Sequence, residues 1–600
     1  MVSVESGRTT SRVMAGTRRG TALFVPDLAL LVAGVTLFYC LFLFQGYRKL
    51  FRDSDSGWHI RNGETILSTH AFPTRDIYSF SQAGQPWFAW EWLADVVTGE
   101  ADRVGGLTGV AFFYAVAIAA GVWVWFQLHW MVGGNFLIAA MMSPLVVTTT
   151  SLHWLARPHV LGWLCLVVWV LWMERLGRAP AEDAGLGLRR ALGIALFCAL
   201  WANLHASFFL APATASIYAL SAALRPLIWS ADFPRKQARR YLETALIAAA
   251  APLANPYGWR LYGHVFAYLT DRELLNRVGE FQSFNFHSEG AGQIAAALLI
   301  GISGGALALA HRRLEHFILA ILFAATAFGA ARALPLFALV VLPLANGAIT
   351  ASLAGARDLA PSLRRALDGF LDYSARLASI DRRCGGWAAV PFILAACFAL
   401  LETPAIRAAT GFSPSEFPVA AYSHLPPGGR LYAPDKFGGY LIWCSGGARK
   451  VFFDGRSDFY GASFLAEYAR MAQARPGWRH DWDAWGFTSA LVPADSPLIE
   501  ALEQSGWRLL YSDSTAAILE AGQHPSARGA AGPGDQVGQM IAVCRLSPGR
   551  HLGRHDRRQK TIVCPTPDPS NPAQLSAQQP PGPAPQPLYV RNPWIATKKS

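Results

Sequence analysis

Residues 51–64 read FRDSDSGWHIRNGE, and what they follow decides the fold. The stretch before them, residues 24–48, is almost wholly apolar and long enough to cross a bilayer as a helix. A chain that leaves a membrane there and at once sets out Asp53, Asp55, His59 and Arg61 places ionisable groups where they are costly. Such groups are tolerated when they face a protein interior or a wet cavity. Asp53 and Asp55 are separated by one serine, and two nearby carboxylates repel. The pair is best accommodated by a cation, a shared proton or a charged ligand. The simpler alternative is that Asp53 or Ser54 caps the helix that follows.

Working outward, apolar runs recur at 107–130, 134–151, 159–174, 191–204, 207–224, 241–256, 293–310, 316–331, 334–354 and 387–404. With the first run they make about eleven candidate spans. Half the residues are hydrophobic and only 15% are charged, which predicts a mainly α, polytopic helical membrane protein. The net charge of +12 does not call for nucleic acid, because the Lys and Arg lie mainly between apolar runs, where they act as topology signals. The first run is too long for a secretory signal and has no convincing cleavage site, so it reads as a signal anchor.

Loop charge gives the topology. The N-terminal segment 1–23, residues 175–190, 225–240, 311–313 and 355–386 hold most of the loop Arg and Lys and fall on one side, assigned to the cytoplasm. The alternate loops begin with 49–106, where acids outnumber bases. The run 191–224 is long for one helix and short for two. Its centre, WANLHASF (201–208), reads as a tight bend or a re-entrant tip, whereas one steeply tilted helix would invert everything downstream.

The domains expected are the segment 1–23, a transmembrane body 24–404 with outer loop 49–106, an extracytoplasmic α/β domain 405–521, and a disordered Pro/Gln-rich tail 522–600. In the outer domain RLYAP, YLIW, KVFFD and ALVPA read as strands and SFLAEYARMAQ as a helix. Cys40, Cys165, Cys198 and Cys397 read as small core residues. Cys544 and Cys564 have the option of a disulfide that sequence alone cannot pair, and no CxxC or Cys/His metal spacing appears.

With this topology the polar residues gather at one face. Asp76 and Glu91 lie later in the first outer loop. SLHWLARPH carries His153, Arg157 and His159, and WANLHASF carries Asn203 and His205. GEFQSFNFH adds Glu280, and GAARALPLF places Arg332 at another outer helix end. Any one of these could be an interface anchor, but separate segments converging on one side suggest a single site. In FFDGRSDFYG, Asp454, Arg456, Asp458 and Tyr460 either bind an acceptor, with Trp443 stacking on sugar, or form a structural Asp–Arg pair at a glycine turn. Trp58, Trp87, Trp90 and Trp92 suit an aromatic belt.

An acidic pair just after the first span, followed by interfacial helices, resembles the GT-C superfamily of polyprenyl-phosphate-dependent membrane glycosyltransferases. DSDSGWHIRNGETIL, PTRDIYSFS, WFAWEWLADV, LARPHV, WANLHASF, ARALPLF, DKFGGYLIW and KVFFDGRSDFYG are similar to a bacterial branch of such proteins, over residues 24–521. The resemblance implies a hexosyl- or pentosyltransferase of the bacterial inner membrane. It would move a sugar from a polyprenyl-phosphate donor to an extracytoplasmic glycan, lipid or protein. It implies catalysis by Asp53 or Asp55, with Asp53 the general base on the acceptor hydroxyl. Binding by His59, Arg61, Asp76, Glu91, Arg157, His159, Asn203, His205, Glu280 and Arg332 follows from their position. A divalent cation such as Mg or Mn on Asp53 and Asp55 is an option, not a requirement of every GT-C enzyme. The other classes open to this sequence are a flippase for a lipid-linked glycan and a noncatalytic envelope-assembly protein.

Overall fold

The computed structural model describes residues 23–178, 185–230 and 234–522. The N-terminal segment to residue 22, the tail from 523 and its Cys544 and Cys564 lie outside the described residues. What is described is mainly helical, with a small sheet domain near the C-terminal end, as the fold class expected. Each of the eleven apolar runs falls on a helix. Among the described residues five helices are long and apolar enough to cross a membrane unaided, and six with one bent pair. Three more, Phe136–Ser151, Leu314–Gly329 and Val390–Leu401, are shorter apolar helices.

Two breaks position the polar segments. The first apolar run is not one straight helix: Leu28–Leu41 turns by 68° into Leu43–Lys49, with Phe44 and Gln45 at positive φ. Trp92–Met131 breaks at Gly106, whose φ of 59° and ψ of −156° only glycine takes up readily. The interfacial segment of the first loop is thereby set apart from the span that follows.

Contacts sort the helix ends into two groups. At one end the Leu28 amide donates to Asp381, Asn135 meets Asn346 and Ser374, and Glu174 meets Arg313. At the other, Arg48 donates to Ala409 O, the Ala156 amide to Leu50 O and the Ala331 amide to Gln282 O. The WANLHASF segment is a bend. Leu186 N–H reaches Glu243 at 2.9 Å and Asn203 Nδ2 reaches Ala254 O at 2.9 Å, so Leu188–Leu204 runs parallel to Arg235–Ala250. The helix Leu210–Trp229 packs back along Arg235–Ala250, and His205 between them is extended.

The sheet domain holds four strands, β1 (Leu431–Tyr432), β2 (Ser489–Pro493), β3 (Arg508–Ser512) and β4 (Ala516–Glu520), in the order β1-β2-β4-β3. β1 pairs parallel with β2, and the other pairings are antiparallel. RLYAP and ALVPA carry strands. YLIW does not: it belongs to the helix Asp435–Cys444, and KVFFD contributes only an isolated bridge from Val451 to Ser79. That helix packs on the first-loop helix Asp55–Thr69 through Gly57 and Gly439, each without room for a Cβ against the other chain segment. The sheet domain is therefore a wall of whatever lies beside Asp55.

Candidate functional site

The site is assembled where the first loop enters its helix. Asp53 Oδ1 accepts from the Asp55 amide at 2.9 Å, a local turn that starts the helix Asp55–Thr69. Ser54 does not cap it: its hydroxyl donates to Asp435 O at 3.1 Å, tying the loop to the sheet domain. Arg157, from the connection after Phe136–Ser151, then gathers three carboxylates. Its Nη1 lies 2.5 Å from Asp53 Oδ2 and 2.9 Å from Glu280 Oε1, and its Nη2 lies 2.8 Å from Asp55 Oδ2. Arg332 approaches the other Glu280 oxygen at 3.5 Å and lies over the Phe281 ring.

The cluster is graded in depth. Asp53, Glu280 and Arg332 are about a quarter exposed, whereas the Asp55 side chain is 7% exposed. The backbone of Gly455 closes against the Asp55 carboxylate, leaving no room for a Cβ. Burial pushes the Asp55 carboxyl well above the usual range against the pull of Arg157, with Asp53, Glu280 and Asp454 adding to the push. Burial would also raise Glu280, but Arg157 and Arg332 outweigh it and hold that group low. Three acids facing two guanidinium groups carry one excess negative charge when all are ionised. A proton favoured on Asp55 balances them.

A second group adjoins it. His59 Nδ1 lies 2.6 Å from Asp95 Oδ1, and Asn62 Nδ2 donates to Asp95 Oδ2 at 2.6 Å. Glu91 stands between two imidazoles, 3.9 Å from His59 Nε2 and 3.4 Å from His205 Nε2. Burial and then Asp95 push Glu91 up to about 8, against Arg332 and Arg157. Burial lowers His59 and His205 well below the usual imidazole range.

The structure thus brings together Asp53, Asp55, Arg157, Glu280 and Arg332, and beside them His59, Glu91 and His205. His159 sits near, bonded through Nε2 to His153 O at 2.8 Å, and Asn203 accepts from Trp92 Nε1 at 2.7 Å. Two predicted residues stand apart. Arg61 turns to Trp443 O and Glu64. Asp76 accepts from the Tyr78 and Ser79 amides and pairs with Arg456 at 2.8 Å. Arg456 is also paired with Asp454 and is caged by Trp87, Tyr78 and Phe459. With Arg456 and Asp454 buried, the structural reading of FFDGRSDFYG fits and the acceptor-binding one does not. Asp458 instead meets His264 at 3.0 Å.

Sequence reasoning passed over Asp95 and Asn62, although Glu91 and Asp95, like Asp55 and His59, are four residues apart and so share a helix face. It also passed over Gly439, and it read the glycine between Asp454 and Arg456 only as a turn, although Gly455 closes on Asp55. Among the described residues no group of three or more His, Cys, Asp or Glu is placed to hold a metal ion. Asp53 and Asp55 both present oxygens to Arg157, so this donor set as arranged does not fit a divalent cation.

No family model matches the chain, and no curated protein does. Among solved structures it is similar to an oligosaccharyltransferase of Archaeoglobus fulgidus in three crystal structures. One is tethered to an acceptor peptide containing the NVT sequon (12% identity, TM-score 0.45). Another is the apo form (14%, 0.46), and a third is a complex with Zn and sulfate (11%, 0.44). The matches cover 78% of this chain and 68–69% of the archaeal one. At such identity and score the likeness is a coarse one.

Proposed function

We propose that the chain is a GT-C-type integral membrane glycosyltransferase that moves a sugar from a polyprenyl-phosphate donor to an acceptor hydroxyl on the outer side of a bacterial inner membrane. The observation that carries the reading is the Asp53–Arg157–Glu280–Arg332 cluster. It joins four remote segments at one end of an apolar helical body, with its ionised edge open to solvent.

In this reading the acceptor oxygen attacks the anomeric carbon and the bond from that carbon to the phosphate oxygen breaks. The acceptor proton passes to Asp53, the more exposed member of the acidic pair. The departing lipid phosphate gathers negative charge, which fixed cations stabilise. Arg332 suits that task better than Arg157. Arg157 is committed to three carboxylates, whereas Arg332 has one carboxylate at 3.5 Å and a face on Phe281. Arg157 then serves to hold Asp53 in place, and Asp55, sealed behind Gly455, balances charge.

The direct test compares lipid-linked and surface glycans of a deletion strain with its parent by mass spectrometry. Complementation with wild type restores a missing glycan and Asp53→Asn does not, at equal membrane expression. Full restoration by Asp53→Asn would remove the base assignment. Movement of labelled lipid-linked sugar with no new glycosidic bond would favour a flippase.

A further inference from the structure

One helix belongs neither to the apolar spans nor to the candidate site. Pro361–Asp381 lies in the Arg-rich loop 355–386, with its proline in the first turn, where a missing amide costs nothing. At about 100° per residue its side chains divide into three stripes. Leu367, Leu371, Ser374 and Ala378 form the first, buried or half-buried. Leu363, Ala366, Tyr373 and Ile380 form the second and are all exposed, with Leu363, Tyr373 and Ile380 at 55%, 51% and 57%. Arg365, Asp372, Arg376 and Ser379 make up the third, polar stripe, also exposed.

Three tethers fix the depth of this helix. Near its start Arg364 donates to Ala356 O, at the end of the span Leu334–Gly355. At its middle Ser374 Oγ donates to Asn135 Oδ1 over 2.8 Å, and Asn135 caps Phe136–Ser151. At its last residue Asp381 Oδ1 accepts from the Leu28 amide over 2.7 Å, where the helix of the first apolar run begins. Pro361–Asp381 therefore lies across the ends of three apolar helices, at the level where acyl chains give way to headgroups. An open apolar stripe bordered by arginines at that level is the pattern of a helix lying in the bilayer surface.

The charge beside the stripe selects the headgroup. Arg364 is spent on Asp368. Arg365 and Arg376 stand next to the exposed apolar stripe and Arg383 follows the helix end, and among the described residues none of these three is in an ion pair. Arg376 lies instead over the Tyr373 ring at 5.9 Å, a stem laid along apolar surface with its charged end outward. Asp372, the exposed acid of the helix, is turned farther from the stripe than either arginine.

We propose that Pro361–Asp381 rests on the bilayer surface, with Leu363, Tyr373 and Ile380 among acyl chains and Arg365, Arg376 and Arg383 holding the phosphates of anionic phospholipids. The inference is independent of the glycosyl-transfer reading.

The test uses the full-length protein in nanodiscs, each version carrying one cysteine and no other. Spin labels on Tyr373→Cys and Ile380→Cys are expected to meet dissolved oxygen more often than a water-soluble nickel chelate, and a label on Asp372→Cys the reverse. A fluorophore on Ile380→Cys then reads the lipid beside it. Doxyl-labelled phosphatidylglycerol is expected to quench it several-fold more than doxyl-labelled phosphatidylcholine, since one arginine near an anionic surface is worth about fivefold. Arg365→Gln, Arg376→Gln and Arg383→Gln combined are expected to equalise the two lipids while leaving the oxygen preference of the labels unchanged. Nickel access in Tyr373→Cys and Ile380→Cys equal to that in Asp372→Cys would put the stripe in water, and shielding from both probes would mean that protein covers it. Either result overturns the proposal. Equal quenching by the two lipids with the arginines in place, or a preference that survives their loss, would overturn the anionic headgroup.

Discussion

Asp53 and Asp55 differ by two positions in the chain but not in company: both meet Arg157, yet one looks outward and the other is walled in by Gly455. A Cβ at Gly455 would run into the Asp55 carboxylate. Gly455→Ala is therefore expected to cost about 1–3 kcal/mol of stability, as overpacking does. It should also displace Asp55 from Arg157, read as a lower Tm and reduced transfer at unchanged expression. Glu91 gives a pH prediction. The folded chain keeps its proton up to about 8, whereas the unfolded chain loses it near the ordinary value of about 4.5. The folded state binds more protons between these values, so this group's contribution makes stability fall as pH rises through that window. Measured against Glu91→Gln, wild type should lose Tm progressively from pH 5 to 8, and equal slopes would refute the assignment. The identity of most cluster residues was legible in the sequence because ionisable groups at helix ends stand out. Arg61 and Asp76 look the same in sequence. What separates them is a partner hundreds of residues away, Trp443 O for one and Arg456 for the other.

At the scale of elements, the apolar runs read correctly as helices because each is long enough for its period to decide. The short run YLIW was too brief to tell a strand from a buried helical turn, and tertiary packing on Gly57 made it a helix. RLLYS and AAILE, which form β3 and β4, were left unread for the same reason. Helix ends also carry an anchor far from the candidate site. Glu174 accepts from Tyr218 OH (2.7 Å), Arg313 (2.8 Å) and His316 (2.8 Å), while Glu315 takes Arg225 at 2.6 Å. Glu174 and Glu315 are 2% and 3% exposed, and these bonds join three helices and a turn. Removing one member of a buried charged network leaves the others uncompensated. Glu174→Ala is expected to cost about 3–5 kcal/mol, measured by unfolding in detergent, with the transfer chemistry retained in the fraction that stays folded.

At the scale of the whole molecule, helix ends sort into two sets, and the positive-inside reading proposes that the end bearing Arg313 and Cys384 is cytoplasmic. Two free cysteines test it without new chemistry: Cys384 at that end and Cys444 in the sheet domain, neither fully buried. In single-cysteine versions, a membrane-impermeant maleimide applied to intact spheroplasts should label Cys444 and spare Cys384. Inverted vesicles should give the opposite pattern. Labelling of both from one side would refute the topology.

By itself the sequence determined that apolar segments must be helical, where they are, and that acids follow the first of them. Those outcomes depend on local composition and period, since backbone groups in an apolar setting must be satisfied within the segment. Only the tertiary structure decided which polar residues share a site. Arg157 meets Asp53 and Glu280 over separations of 104 and 123 residues, and the sheet domain closes on Asp55 through glycines that carry no chemistry of their own. Pairings of that kind depend on which faces the helices bury against one another, and no short stretch of the chain encodes them.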